Sequence, residues 1–148
     1  MIRCAALALL LATAPAEAQV TGPRTRSGCL DVSDARSATP ITVKGRLSSG
    51  VFPGAPDFES VRNGDAAEHA YVLTLPTAIC VDDGGNFADP AKRVREVQIW
   101  AKDGDPMVER LLKALVGHRA TIIGTGMAAQ TGHHHRPLLI EARSVSGR

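Results

Sequence analysis

The stretch "DPMVERLLKALVGH", residues 105–118, decides the fold, because here alone the apolar period turns helical. Val108, Leu111, Leu112 and Leu115 fall at i, i+3, i+4 and i+7, which is one face of an α-helix. Asp105 is a natural N-cap, Pro106 suits the first helical position, and Gly117 ends the helix. His118 and Arg119 complement the negative end of its dipole.

On both sides the period is two. "ITVKGRL" (41–47) sets Ile41, Val43 and Leu47 on one side, with Gly45 among them, and Thr42, Lys44 and Arg46 on the other. Gly45 on the buried side suggests a bend or bulge. "AYVLTLPTAICV" (70–81) is a second strand, with Tyr71, Leu73 and Leu75 on one face and a break in pairing expected at Pro76. "VREVQIWA" (94–101) is the third. "ATIIGTGMAA" (120–129) and "RPLLIEARSV" (136–145) follow the helix. Two loops rich in Pro, Gly and Asp, 52–69 and 82–93, separate the first three strands.

The order is therefore β-β-β-α-β-β. A mainly β domain with one helix, over residues 39–146, is expected. Its plan is that of a five-stranded, OB-like Greek-key barrel plugged by its helix. Another small barrel or an open α+β sheet uses the same pieces. Residues 19–38 carry few apolar side chains and read as a flexible lead-in tied down at Cys29.

Residues 1–18 read as a secretory signal peptide. Arg3 is the basic n-region, Ala5 to Ala14 the apolar core, and "AEA" (16–18) the small-residue cleavage site before Gln19. The apolar run falls short of the roughly 20 residues a membrane span needs. The expected destination is the periplasm or the extracellular space. About 130 residues remain, enough for one domain. The formal charge of +2 gives no bulk pull toward nucleic acid or anionic lipid. Beyond the signal the cysteines are Cys29 and Cys80. In an exported chain such a pair is most simply a disulfide, whereas two thiols on a metal would favour tighter spacing.

"CLDV", "VKGRL", "FPGAPDFESVRNGD", "YVLTLPTAICV" and "TGHHHRPLLI" together resemble a bacterial family of exported domains, domain of unknown function 4431, from about Cys29 to about Val145. The most specific parts are Phe52–Pro53–Gly54 leading to Gly64–Asp65, and Gly132 to His135. The resemblance implies an exported barrel-like domain with Cys29 and Cys80 paired, and it supplies no reaction. Arg136 stands where a smaller polar residue is expected.

"TGHHHRP" (131–137) carries the most chemistry. In strand-like alternation His133 and His135 point one way and His134 the other. Imidazoles suit zinc, copper or nickel, but two ligands need help. In an OB plan the loop after strand one and the loop before strand five flank one binding face. Here they are 53–69 and 131–135. The expected metal set is His133 and His135 with His69 or Glu68, holding zinc or copper. The competing reading is a polar hairpin whose histidines serve by hydrogen bonding. Phe52, Pro53, Asp57, Phe58, Glu59, Asp65 and His134 complete the expected binding face.

"DDGGN" (82–86) lacks the spacing and closing Glu of a calcium loop and reads as a turn. Lys44, Arg46 and Arg62 make a small basic patch that a solvated strand face also explains. Aromatic platforms are sparse, so nucleic acid is not expected as a partner. The chain shows no G-x-S-x-G elbow, no H-E-x-x-H helix and no facing carboxylate pair. The expected function is a non-catalytic binding or accessory module of the bacterial cell envelope, not an enzyme, with an envelope protein or unknown ligand as partner. Alternatives are a divalent-metal-binding envelope protein and a partner or inhibitor of an envelope enzyme.

Overall fold

The structure, a computed structural model, describes residues 19–34 and 39–147. The signal peptide expected over 1–18, and residues 35–38 of the lead-in, lie outside the described residues.

Among the described residues the fold is mainly β with a single α-helix. In chain order the elements are β1 (Val20–Thr21), β2 (Leu30–Asp31), β3 (Ile41–Pro53), β4 (Ala67–Ile79), β5 (Val81–Asp82), β6 (Val94–Ala101), α1 (Pro106–Leu115), β7 (Arg119–Ala128) and β8 (Leu138–Gly147). Single 3-10 turns occupy Val61–Asn63 and Lys102–Gly104. The expectation of five strands is corrected to eight among the described residues. The five long ones are those read from alternation. The other three have two residues each, too short to leave a period in the sequence.

Six strands share one sheet in the order β1-β3-β4-β6-β8-β7, and β3 pairs with β7 as well as with β4. Neighbours are antiparallel except β6 and β8, which run parallel. Strand β3 changes partner midway: residues 41–46 pair with β7 and 46–53 with β4. Gly45 sits at the change. A Cβ there would press on the Thr74 carbonyl group, its carbon 2.9 Å away, so the close crossing needs glycine. The expected break at Pro76 is present as a register shift between Thr74 and Ile79.

The side chains expected inward from "ITVKGRL" are buried: Ile41, Val43 and Leu47. They join Leu73, Leu75, Val97, Ile99, Ile122, Leu138 and Ile140 in one core. Helix α1 closes part of this core with Val108 and Leu112. Asp105 caps it as expected, its Oδ1 accepting from the N–H of Met107 (2.8 Å) and Val108 (3.3 Å). The stripe is narrower than expected, since Leu115 is half-buried and Leu111 is exposed.

The lead-in expected to be flexible is, where described, part of the fold. Val20, Leu30 and Val32 are buried in the common core. β1 pairs with β3, and β2 runs parallel to β5 with Leu30 opposite Val81. Cys29 and Cys80 precede these two residues and are disulfide-bonded across a sequence separation of 51. Three well-placed apolar residues and one covalent bond do here what a long apolar run does elsewhere.

The loop expected over 52–69 is also corrected. Phe52, Pro53, Ala67, Glu68 and His69 lie in β3 and β4, which pair as far as Pro53 opposite Ala67. Only residues 54–66 remain as the tip.

Candidate functional site

The 54–66 tip is folded around one carboxylate. Asp65 is buried, and its oxygens accept from the backbone N–H of Asp57 (2.9 Å), Glu59 (2.7 Å) and Ser60 (2.7 Å). The N–H groups of Asp57 and Ser60, then those of Glu59 and Phe58, outweigh burial and hold the Asp65 carboxyl below the usual carboxylate range. This turn carries Phe58 at φ 59, in the left-handed region, and presents its ring to the neighbouring loop.

The histidine loop is pinned from beneath by Gln98 of β6, which is buried. Gln98 Oε1 accepts from the backbone N–H of His135 (2.6 Å), and its Nε2 donates to the carbonyl of His133 (3.2 Å). Within the loop, His134 N–H donates to the Thr131 carbonyl (3.0 Å). His134 Nδ1 accepts from the Gln130 N–H (2.8 Å), which puts the His134 ring proton on Nε2. Burial, reinforced by its two histidine neighbours, holds the His134 pKa below the ordinary histidine value.

The histidine loop meets β4 at Glu68, just beyond the tip. His133 Nδ1 lies 2.6 Å from Glu68 Oε1, and His135 Nε2 lies 3.0 Å from Glu68 Oε2. An ionised carboxylate only accepts, so each of these nitrogens carries a proton toward it. Gly54 makes room for the carboxylate, since a Cβ there would stand 2.7 Å from both Glu68 Cγ and Cδ. Gly132 does the same for Phe58, whose ring atoms lie 2.7 Å from where its Cβ would be.

Each of the three loop histidines has its own aromatic partner. Phe52 stacks on His135 with centroids 4.6 Å apart, Phe58 meets His133 edge-on at 5.0 Å, and Trp100 stacks on His134 at 6.2 Å. Arg136 covers the outer side of Phe52, its guanidinium carbon 4.8 Å from the ring centroid. Its Nη1 donates to the His135 carbonyl (2.6 Å). Its Nε lies 2.7 Å from Glu96 Oε2 in an ion pair whose geometry is not that of a hydrogen bond.

Of the expected site residues, the structure brings together Glu68, His133, His135, Phe52 and Phe58. His134 stacks on Trp100 and makes no contact with Glu68; the expected strand-like alternation does not apply, because 131–137 is a turn, and His134, His135 and Arg136 all line one pocket of about 450 Å3 with Phe87 at its wall. Pro53 ends β3, while the side chains of Asp57 and Glu59 are exposed at the tip. His69 follows Glu68 along β4 and so faces away from it; it lies opposite Val51. Gln98, Trp100 and Arg136 were missed as site residues. The only trace of Gln98 in the sequence is a neutral polar side chain between Val97 and Ile99.

Among the described residues, no group of three or more His, Cys, Asp and Glu is arranged to hold a metal ion. Glu68, His133 and His135 come closest, but their facing atoms are joined by protons. A cation would have to displace both. The acidic turn 82–86 is occupied by its own backbone: Asp83 accepts from the N–H of Asn86 (3.0 Å) and Phe87 (2.7 Å). Burial pushes the Asp83 carboxyl up, and these bonds with that of Ala88 more than reverse it, leaving it below the ordinary value. Among the described residues, no helix is long and apolar enough to cross a membrane.

Residues 96–146 match the family model of a domain of unknown function, DUF4431. The match takes in most of β6, α1, β7, the histidine loop and β8, while the 54–66 tip and both cysteines lie outside it. No curated protein and no solved structure matches the chain.

Proposed function

We propose, for a chain that over residues 96–146 belongs to the DUF4431 family, a non-catalytic binding module of the cell envelope. Its contact surface is the rim where the 54–66 tip meets the histidine loop. The observation that carries this reading is Glu68, held at 2.6 and 3.0 Å by His133 and His135 from across the rim. Side chains fixed on both sides of a junction form a surface prepared before any partner arrives. Phe52, Phe58 and Arg136 add the rigid aromatic and guanidinium groups that dominate recognition surfaces.

The OB-like barrel is part of the same proposal. It is supported by the partner change of β3 and the parallel β6–β8 pair, through which the strand order runs from β3 round to β7 and back to β3. Export is supported by the signal-like residues 1–18 and the Cys29–Cys80 disulfide.

Affinity capture from envelope extract tests the reading, with the wild type and a Phe52→Ala/Phe58→Ala variant as baits. A stoichiometric partner, unaffected by chelator and lost with the variant, is expected. Equal recovery on both baits, or no partner on either, refutes it.

The convergence of two imidazoles on one carboxylate favours a second reading, a zinc or copper site at Glu68, His133 and His135. Calorimetric titration of the untagged protein with each metal separates the two. Tight binding with release of protons, abolished by His133→Ala/His135→Ala, supports a metal site, and equal weak binding by both proteins excludes it.

A further inference from the structure

Away from the rim, on the outer face where β3 leaves β7 for β4, lies a second pocket of about 540 Å3. Arg46, Arg95, Arg119 and Lys44 line it, with Thr74 and Thr121 between them, and no lining residue is acidic. From Arg46 to Phe52 is six residues of extended chain, about 20 Å, so this pocket and the rim are separate places.

Two features mark it as built. Arg46 and Arg119 are direct cross-strand partners, and among the described residues neither has an ion-pair partner. Like charges directly opposite in a sheet oppose folding, so nothing in the fold itself asks for this pair. Arg95 is held in place: its Nε donates to the Leu75 carbonyl (3.0 Å) and its Nη2 to the Pro76 carbonyl (3.1 Å), both at the irregular stretch of β4. A chain with a net charge of only +2 thus gathers four cationic side chains at one pocket.

We infer that this pocket binds a phosphate-bearing polyanion. Guanidinium groups match phosphate oxygens in paired hydrogen bonds, and threonine hydroxyls supply neutral donors between them. A pocket of this size is more than one phosphate fills. A ligand with two or more phosphate groups neutralises the Arg46–Arg119 pair and reaches Arg95 together. The same chemistry is offered by a soluble polyphosphate and by a phospholipid headgroup that carries two phosphates.

Calorimetric titration with tripolyphosphate at low ionic strength tests it on the wild type, Arg46→Gln/Arg119→Gln and, for a charge removed elsewhere, the helix variant Arg110→Gln. One saturable site is expected, at least tenfold weaker in the double variant and unchanged within twofold in Arg110→Gln. Tripolyphosphate raises the melting temperature of the wild type and not of the double variant. Without ligand the double variant melts at or above the wild-type temperature, because a repulsive pair is gone. Sedimentation with cardiolipin-containing vesicles, whose headgroup carries two phosphates, competed by tripolyphosphate, assigns the headgroup as source, and failure to sediment alongside saturable tripolyphosphate binding assigns a soluble one. Absence of saturable tripolyphosphate binding, equal weakening by Arg110→Gln, or a lower melting temperature of the ligand-free double variant each overturns the inference.

Discussion

Glu68 Oε2 stands 3.0 Å from His135 Nε2, and the His135 side chain is only 7% exposed. One carboxylate from β4 thus satisfies a nearly buried imidazole from the far loop. Glu68→Ala leaves that imidazole without its partner, at a cost of about 1–3 kcal/mol. Glu59→Ala, at the exposed tip, changes stability by less than about 0.5 kcal/mol. Urea unfolding of the three proteins checks the contrast, and equal midpoints for Glu68→Ala and wild type would show that the junction adds nothing.

Gln98 and the backbone of the histidine loop make a second prediction. Its amide accepts from His135 and donates to His133, so it sets the loop's height above the sheet. Gln98→Ala leaves a buried N–H and a carbonyl unpaired and is expected to cost about 1–3 kcal/mol. Amide exchange at His135 then accelerates relative to the core strands. Unchanged protection at that amide rejects Gln98 as the pin.

Why Gln98 escaped a reading of the sequence, while α1 did not, is physical. The helix announces itself through local chemistry: Asp105, Pro106, the Val108 and Leu112 face, and Gly117 all act within a few residues. The five long strands likewise carry their period in their own side chains. A role like that of Gln98 exists only once β6 lies beside the histidine loop, 35 residues later in the chain. The aromatic partners of the histidines are of the same kind. The short strands β1, β2 and β5 owe their places to packing and to the disulfide, and two residues cannot display a period. Extension of β3 and β4 beyond Gly50 was hidden by Pro53 and by the Gly and Pro of the tip, which mask continued pairing. The juxtaposition of residues 53–69 with 131–135 was legible only through the OB plan.

Space at Gly54 gives a third prediction. A methyl group there meets Glu68 Cγ and Cδ, a side chain that can move aside, so Gly54→Ala folds but pushes the carboxylate off its histidines. The expected stability loss is of the same order as in Glu68→Ala, about 1–3 kcal/mol, and the two changes are not additive when combined. A double-mutant cycle by urea unfolding checks this; strict additivity would mean that Gly54 acts elsewhere.

Acid acts through Asp65 and Asp83. Both carboxyls are held below the ordinary value of 3.8 by backbone N–H groups. A lowered folded-state pKa means that the unfolded chain binds protons first, so the stabilisation is complete above the ordinary carboxylate range. It is lost as pH falls through the folded-state values. Melting temperature is therefore expected to fall between about pH 4 and pH 2, with a shallower slope in Asp65→Asn. Equal slopes for variant and wild type would remove Asp65 from the account.

The Cys29–Cys80 bond ties β2 to β5 and closes a loop whose ends are 51 residues apart. In chain-entropy terms a loop of about 50 residues corresponds to about 4 kcal/mol of restraint on the unfolded chain. Leu30 and Val32 depend on it, because a two-residue strand has little pairing of its own. Cys29→Ser/Cys80→Ser is therefore expected to lose about 4 kcal/mol by denaturant unfolding. Local opening should precede global unfolding, with protease cleavage appearing first between residues 22 and 34 while β3 to β8 stay protected. Cleavage starting instead in the 54–66 tip, at the same rate as in the wild type, would show that the N-terminal segment is held by its apolar side chains and not by the covalent bond.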